Sequence, residues 1–130
     1  NVRRRAEKDV KEASRYSVSK FAQDMVSVAD NLGRALDSLD EELKSDERLK
    51  GFLEGVELTG RELAASLERH GIKEVHPEGE KFDHNLHEAM FEVEDAEKPH
   101  GTVAHVLETG YTIHDRLLRP AKVGVTKKPS

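Results

Sequence analysis

Seven histidines could do chemistry in this chain, and all fall between positions 70 and 114: His70, His76, His84, His87, His100, His105 and His114. Imidazole is a common zinc ligand, so the clustering calls for a metal test. The one close pair, His84 and His87 beside Glu88, lacks the spacing that puts two ligands and a base on one helical face. The chain has no cysteine, which excludes thiolate ligands and disulfide scaffolds. The expectation is surface and strand histidines with structural hydrogen bonds, and no metal or other cofactor is implied. Asp83, Glu88 and Asp115 are candidate carboxylates, but among 26 acidic residues no acid/base pair stands out by spacing. No Gly-x-Ser-x-Gly elbow, Walker loop or dinucleotide glycine fingerprint occurs. These residues point away from an enzyme.

The strongest charge cluster is Arg3-Arg4-Arg5. On a helix it would form a solvated face with i,i+4 pairs such as Arg3–Glu7 and Arg5–Asp9. No aromatic residues interleave with it, which argues against nucleic acid. The overall net charge is −5, spread as a mosaic. Residues 1–20 hold seven basic and three acidic side chains, residues 21–47 two and eight, and residues 78–100 two and eight. The last fifteen residues hold five basic side chains and no acidic one. Such alternation fits protein partners, with no nucleic acid and no membrane. No apolar run approaches the roughly 20 residues that span a bilayer.

The elements that would carry these groups begin with a helix over residues 1 to about 43, a stretch with no Pro and only Gly33. Its stripe runs Val2, Ala6, Val10, Ala13, Ser17, Phe21, Met25, Val28, Leu32, Ala35, Leu39 and Leu43. The mean step of about 3.7 residues predicts straight or slightly right-handed pairing. A rod of roughly 65 Å cannot be covered by so small a chain, but a second copy can cover it. Its basic first turn opposes the helix dipole, so the helix is expected to continue upstream of Asn1. Ser45 or Asp46 is the expected cap of the next helix, with Glu47 in its first turn. Leu49, Leu53, Val56, Gly60, Leu63 and Leu67 form its heptad seam, and Arg69-His70-Gly71 ends it. Four such helices, two from each chain, close a bundle. From Ile72 onward, Pro and Gly punctuate β-rich segments at residues 89–94, 102–109, 111–114 and 121–126. The fold class is thus α+β: a long dimerising helix, a short bundle helix and a small C-terminal antiparallel β-domain. The domains are residues 1–71 for dimerisation and 72–130 for the β-wing.

Particular segments resemble the GrpE family. The most specific are Phe82-Asp83-His84-Asn85-Leu86-His87-Glu88-Ala89-Met90, Gly101-Thr102-Val103, and Gly110-Tyr111-Thr112-Ile113-His114-Asp115-Arg116-Leu117-Leu118-Arg119-Pro120-Ala121. Upstream, Asn1-Val2-Arg3-Arg4-Arg5, Asp30-Asn31-Leu32-Gly33-Arg34-Ala35-Leu36 and Glu54-Gly55-Val56-Glu57-Leu58-Thr59 are similar to the family's helical wording. The chain departs from it at His84 and His100, where the family often has Pro, and at Gly33, where an acidic residue is usual.

The resemblance implies a non-enzymatic co-chaperone, a parallel homodimer that stimulates ADP release from a DnaK-type chaperone. One β-wing would bind the chaperone's ATPase domain and hold its nucleotide cleft open. The matching partner-binding positions are Arg116, Val125 and Leu107 on the wing, with Arg3 and Arg4 on the long helix. The dimer interface would use Val10, Phe21, Met25, Val28, Leu32, Leu39, Leu53, Val56 and Leu63. Gly55 matches a bundle glycine where a side chain would alter packing. A bacterial cytoplasm is the expected location, with a mitochondrial matrix second. The alternatives are a structural coiled-coil adaptor without exchange activity, and a metal-dependent hydrolase built on the histidines.

Overall fold

The computed structural model describes residues 1–127. The chain divides into two compact units, Asn1–Gly71 and the part from Ile72 onward.

In the first unit, α1 spans Val2–Tyr16 and α2 spans Ser19–Asp37. The expected rod is therefore interrupted at Ser17–Val18 and stops at Asp37 rather than near residue 43. Helical bonding continues on each side of the break: the Ser17 N–H donates to Ala13 at 2.8 Å, and the Ala22 N–H to Val18 at 2.7 Å. The Ser17 hydroxyl turns back onto the Ser14 carbonyl at 3.2 Å, a local bond that competes with the helix ladder. Ser38 does the same at the end of α2, donating to Ala35 at 2.7 Å. Asp40 then adopts an extended conformation and caps the short α3, Glu41–Lys44, by accepting the Leu43 N–H at 2.8 Å.

Helix α4 spans Lys50–Arg69, so the start expected at Ser45 or Asp46 is displaced. Asp46 instead closes the preceding turn, accepting the Arg48 N–H at 2.9 Å and its guanidinium at 2.9 Å. The Arg48 side chain holds the Asp46 carboxyl below its ordinary range. The expected terminator is present, with Gly71 in the left-handed region at φ 81°.

Helices α2 and α4 pack on each other. Ala22, Val26 and Leu67 are buried, while Met25, Leu32, Leu36, Leu53, Val56 and Leu63 are half-buried. Gly60 admits the Leu32 side chain, whose Cδ2 would lie 3.4 Å from a Cβ there. The apolar stripe thus has two halves, and the second half, Phe21 and Val28, is exposed, as is Phe52 on α4.

Among the described residues the second unit holds six strands: β1 (Ile72–Val75), β2 (His87–Glu94), β3 (Val103–Glu108), β4 (Gly110–Ile113), β5 (Arg116–Arg119) and β6 (Ala121–Lys127). They form two sheets, ordered β1-β4-β5 and β2-β6-β3. The first is antiparallel throughout. The second is mixed, because β2 runs parallel to β6 while β3 runs antiparallel to it. Val103, Ala121 and Val123 are fully buried, with Val75, Phe82, Val106 and Val125 packed around them. Val75 comes from the first sheet, so this cluster joins the two layers. Among the described residues no helix is long and apolar enough to cross a membrane.

Candidate functional site

The motif from Phe82 to His87 folds into a closed turn. Asp83 accepts the Asn85 N–H on its carboxylate at 2.9 Å, and its carbonyl accepts the Leu86 and His87 N–H groups. The Asp83 N–H donates in return to His87 Nδ1 at 3.0 Å. That bond makes Nδ1 the acceptor, so the Nε2 nitrogen carries the proton in this state. The ring is 5% exposed and lies 5.7 Å from the Phe82 ring. The other six histidines are exposed. Among the described residues no three histidine, aspartate or glutamate side chains are grouped to hold a metal ion. His84 stands on this turn without a proline's restraint, and the Asp83 bonds supply the closure.

The hairpin that carries Arg116 is tight. Ile113 pairs with Arg116 across His114 and Asp115, and His114 takes φ 53° to complete the turn. That value is costly for a residue other than glycine. Arg116 is exposed at the start of β5. Leu107 is 58% exposed on β3, in the other sheet.

Val125 sits differently. It pairs with the fully buried Val103 and packs against the core cluster, half-buried. Val125 and Leu107 therefore share a sheet but face opposite sides of it. The outer face at Leu107 continues through His105 to Phe91, whose ring lies across Gly124 to within 6.4 Å of the His105 ring. On the helical unit, Arg3 and Arg4 are both exposed, and Arg3 Nε lies 3.8 Å from Glu7. Gly55 is exposed, and a Cβ there would meet nothing within 4 Å inside the chain. Of the expected interface positions, Val10, Phe21 and Val28 are exposed, and Met25, Leu32, Leu39, Leu53, Val56 and Leu63 are half-buried.

Sequence reasoning passed over one cluster. Arg119 Nε donates to the Thr109 carbonyl at 2.8 Å, its Nη1 lies 3.4 Å from Glu108, and its guanidinium covers the Tyr111 ring at 5.4 Å. No spacing rule marks an arginine followed by proline as a clasp, so the sequence carried no signal for it.

Arg116 and Leu107 are thus both exposed, on different sheets of the β unit. The GrpE family model matches residues 1–127. The chain belongs to the GrpE family. Protein GrpE of Zymomonas mobilis is 56% identical over 130 residues, which cover 100% of this chain and 68% of that protein. Protein GrpE of Methylobacterium nodulans is 54% identical over 129 residues, covering 98% of this chain and 57% of its own length. Protein GrpE of Agrobacterium fabrum is 53% identical over 129 residues, with 98% and 61% covered. The chain thus spans from 57% to 68% of the length of these GrpE proteins.

Proposed function

We propose that this chain is a dimeric co-chaperone that speeds ADP release from a DnaK-type chaperone. Its β unit would dock on the ATPase domain, with Arg116 and Leu107 as contacts and Arg3 and Arg4 adding contacts from α1. The observation that carries this reading is the family match across residues 1–127, which includes both units. Relatives at 53–56% identity, all named Protein GrpE, support it. The bacterial sources of these relatives favour a bacterial cytoplasm as the setting.

The reaction needs no proton transfer and no catalytic side chain. A protein that binds the open cleft more tightly than the closed one shifts the population toward open, and ADP leaves. By linkage, nucleotide weakens the binding of the exchange factor by the same factor. Arg116 suits the polar part of the contact, since a guanidinium grips a carboxylate through two parallel hydrogen bonds. The exposed Phe21, Val28 and Phe52 supply apolar surface for a second copy of the chain.

Stopped-flow release of a fluorescent ADP analogue from the chaperone tests the reading. Faster release with rising concentration of the chain is the expected result. Arg116→Ala is expected to weaken binding by about 1–3 kcal/mol while leaving the fold intact. Release unchanged by the parent chain at any concentration would leave the structural adaptor as the better account.

A further inference from the structure

The chain leaves the sheet β2-β6-β3 through Thr109 and returns to it through Pro120. Between these two crossings it builds the β4–β5 hairpin, with Arg116 next to the turn. The hairpin and Leu107 therefore belong to different sheets, and their relation depends on what happens where the two crossings pass. They pass very closely: an ideal Cβ on Gly110 would lie 2.5 Å from the Ala121 backbone nitrogen.

Arg119 stands at this crossing. It is the last residue of β5 and pairs with Tyr111 on β4, yet its donors reach toward the other sheet. Nε bonds the carbonyl of Thr109, the outgoing connection, at 2.8 Å. Nη1 lies 3.4 Å from Oε1 of Glu108, the last residue of β3. Lys122 on β6 holds the other oxygen of the same carboxylate at 3.6 Å. Beneath the guanidinium, Tyr111 is 4% exposed and donates its hydroxyl to Glu74 on β1 at 3.4 Å. The Arg119 side chain is only 21% exposed. A sheltered, charge-assisted fork of this kind is stronger and more directional than a solvated surface pair.

We propose that Arg119 is a positioning residue for the chaperone contact: it locks the β4–β5 hairpin, and Arg116 with it, against the sheet that carries Leu107. The inference rests on the docking reading above and adds a residue that acts through Arg116 without touching the partner. A contact made by two groups on separate sheets is tight only when their spacing is set before binding. Loosening the clasp makes the partner bear the ordering. Lysine can keep the charge near Glu108, but it cannot bond Thr109 and Glu108 together while lying flat on Tyr111.

The test is a double-mutant cycle on the full chain, with affinity for the nucleotide-free ATPase domain measured by titration calorimetry. The proteins are the parent, Arg116→Ala, Arg119→Lys and the double variant. Arg119→Lys alone is expected to weaken binding about tenfold, and less than about twofold in the Arg116→Ala background, because both act through one contact. Equal factors in the two backgrounds, or unchanged affinity in Arg119→Lys, overturn the positioning role. Should Arg119→Lys lower the thermal midpoint enough to unfold the wing, Glu108→Gln takes its place in the cycle and is held to the same two outcomes. If Arg116→Ala itself loses no affinity, the docking reading falls at Arg116 and this inference with it. A loss in Arg116→Ala without one in Arg119→Lys removes this inference alone.

Discussion

Gly110 passes Ala121 at a distance no side chain could share, since its ideal Cβ would lie 2.5 Å from the Ala121 nitrogen and 2.9 Å from the Ala121 Cα. Gly124 offers the instructive contrast. A Cβ there would also come within 2.5 Å of another atom, but that atom belongs to the far end of the Phe91 ring. Phe91 is 42% exposed and can swing outward, whereas the backbone at Ala121 is fixed between two sheets. Gly110→Ala is therefore expected to cost about 3 kcal/mol, and Gly124→Ala about 1 kcal/mol or less. Urea unfolding of the two variants checks the order, and equal costs would contradict it.

The two halves of the α2 stripe should separate folding from association. Val26 is 1% exposed against α4, so Val26→Ala is expected to destabilise the helical unit by about 2 kcal/mol. Phe21 and Val28 are 62% and 47% exposed, so replacing both with Ser should leave α2 and α4 helical. The same double substitution should shift the chain toward monomer if a second copy covers that face. Sedimentation velocity with circular dichroism reads both properties, and an unchanged dimer in the Phe21→Ser, Val28→Ser variant would move the interface elsewhere.

Among its described side chains helix α1 has none buried, and all but Tyr16 are exposed. With so little of it sheltered, its stability rests largely on propensity and on whatever a second copy contributes. It is expected to melt below α4 on heating. Hydrogen exchange across a temperature series checks this, and equal protection of α1 and α4 amides at every temperature would argue against it.

His87 Nδ1 holds the Asp83 turn by accepting the Asp83 N–H. His87→Leu keeps bulk in the pocket but strands the Asp83 N–H, at an expected cost of about 1–3 kcal/mol. The variant should lose protection at the Asp83 amide first. A variant as stable as the parent would show that the ring serves packing alone.

The Asp46 carboxyl lies below its ordinary value of 3.8, chiefly because of the Arg48 side-chain bond. A depressed carboxylate stabilises the fold above its unfolded value, and that contribution fades as pH falls through the lower folded value. Asp46→Asn should therefore flatten the acid limb of the stability curve for the helical unit. An unaltered acid limb would show that the turn does not depend on the charge.

The helical unit was legible because period and punctuation agree there: α4 ends at Arg69 before Gly71, as its residues say. The break at Ser17 was less visible, since serine is an ordinary helix residue until its hydroxyl turns onto a carbonyl. In the wing, β1 and β5 went unread because each is four residues long and half of its residues are charged. The parallel pairing of β2 with β6 joins strands distant in sequence, and no local pattern encodes it. Simple alternation would also fail here. By a strict two-residue period Val103 and Leu107 share a face, yet Val103 is 0% and Leu107 58% exposed. A register shift between Val103 and His105 carries His105 and Leu107 to the other side. Arg116, Leu107 and Val125 came from family likeness, which says nothing of the faces they occupy.

The order of strands has a consequence for biosynthesis. β6 is the central strand of β2-β6-β3, and it is also the last of the six to be made. Until it leaves the ribosome, β2 and β3 have no neighbour to pair with, and their apolar faces stay open to water or to a holding factor. The helices of the first unit rest on contacts between residues made much earlier, so they can form while the wing is still a nascent chain. A translation stop before Ala121 would then remove the strand that both β2 and β3 pair with, while sparing the helices. If the helices pair two copies as proposed, such a product would still pair with an intact copy while lacking the β2-β6-β3 sheet.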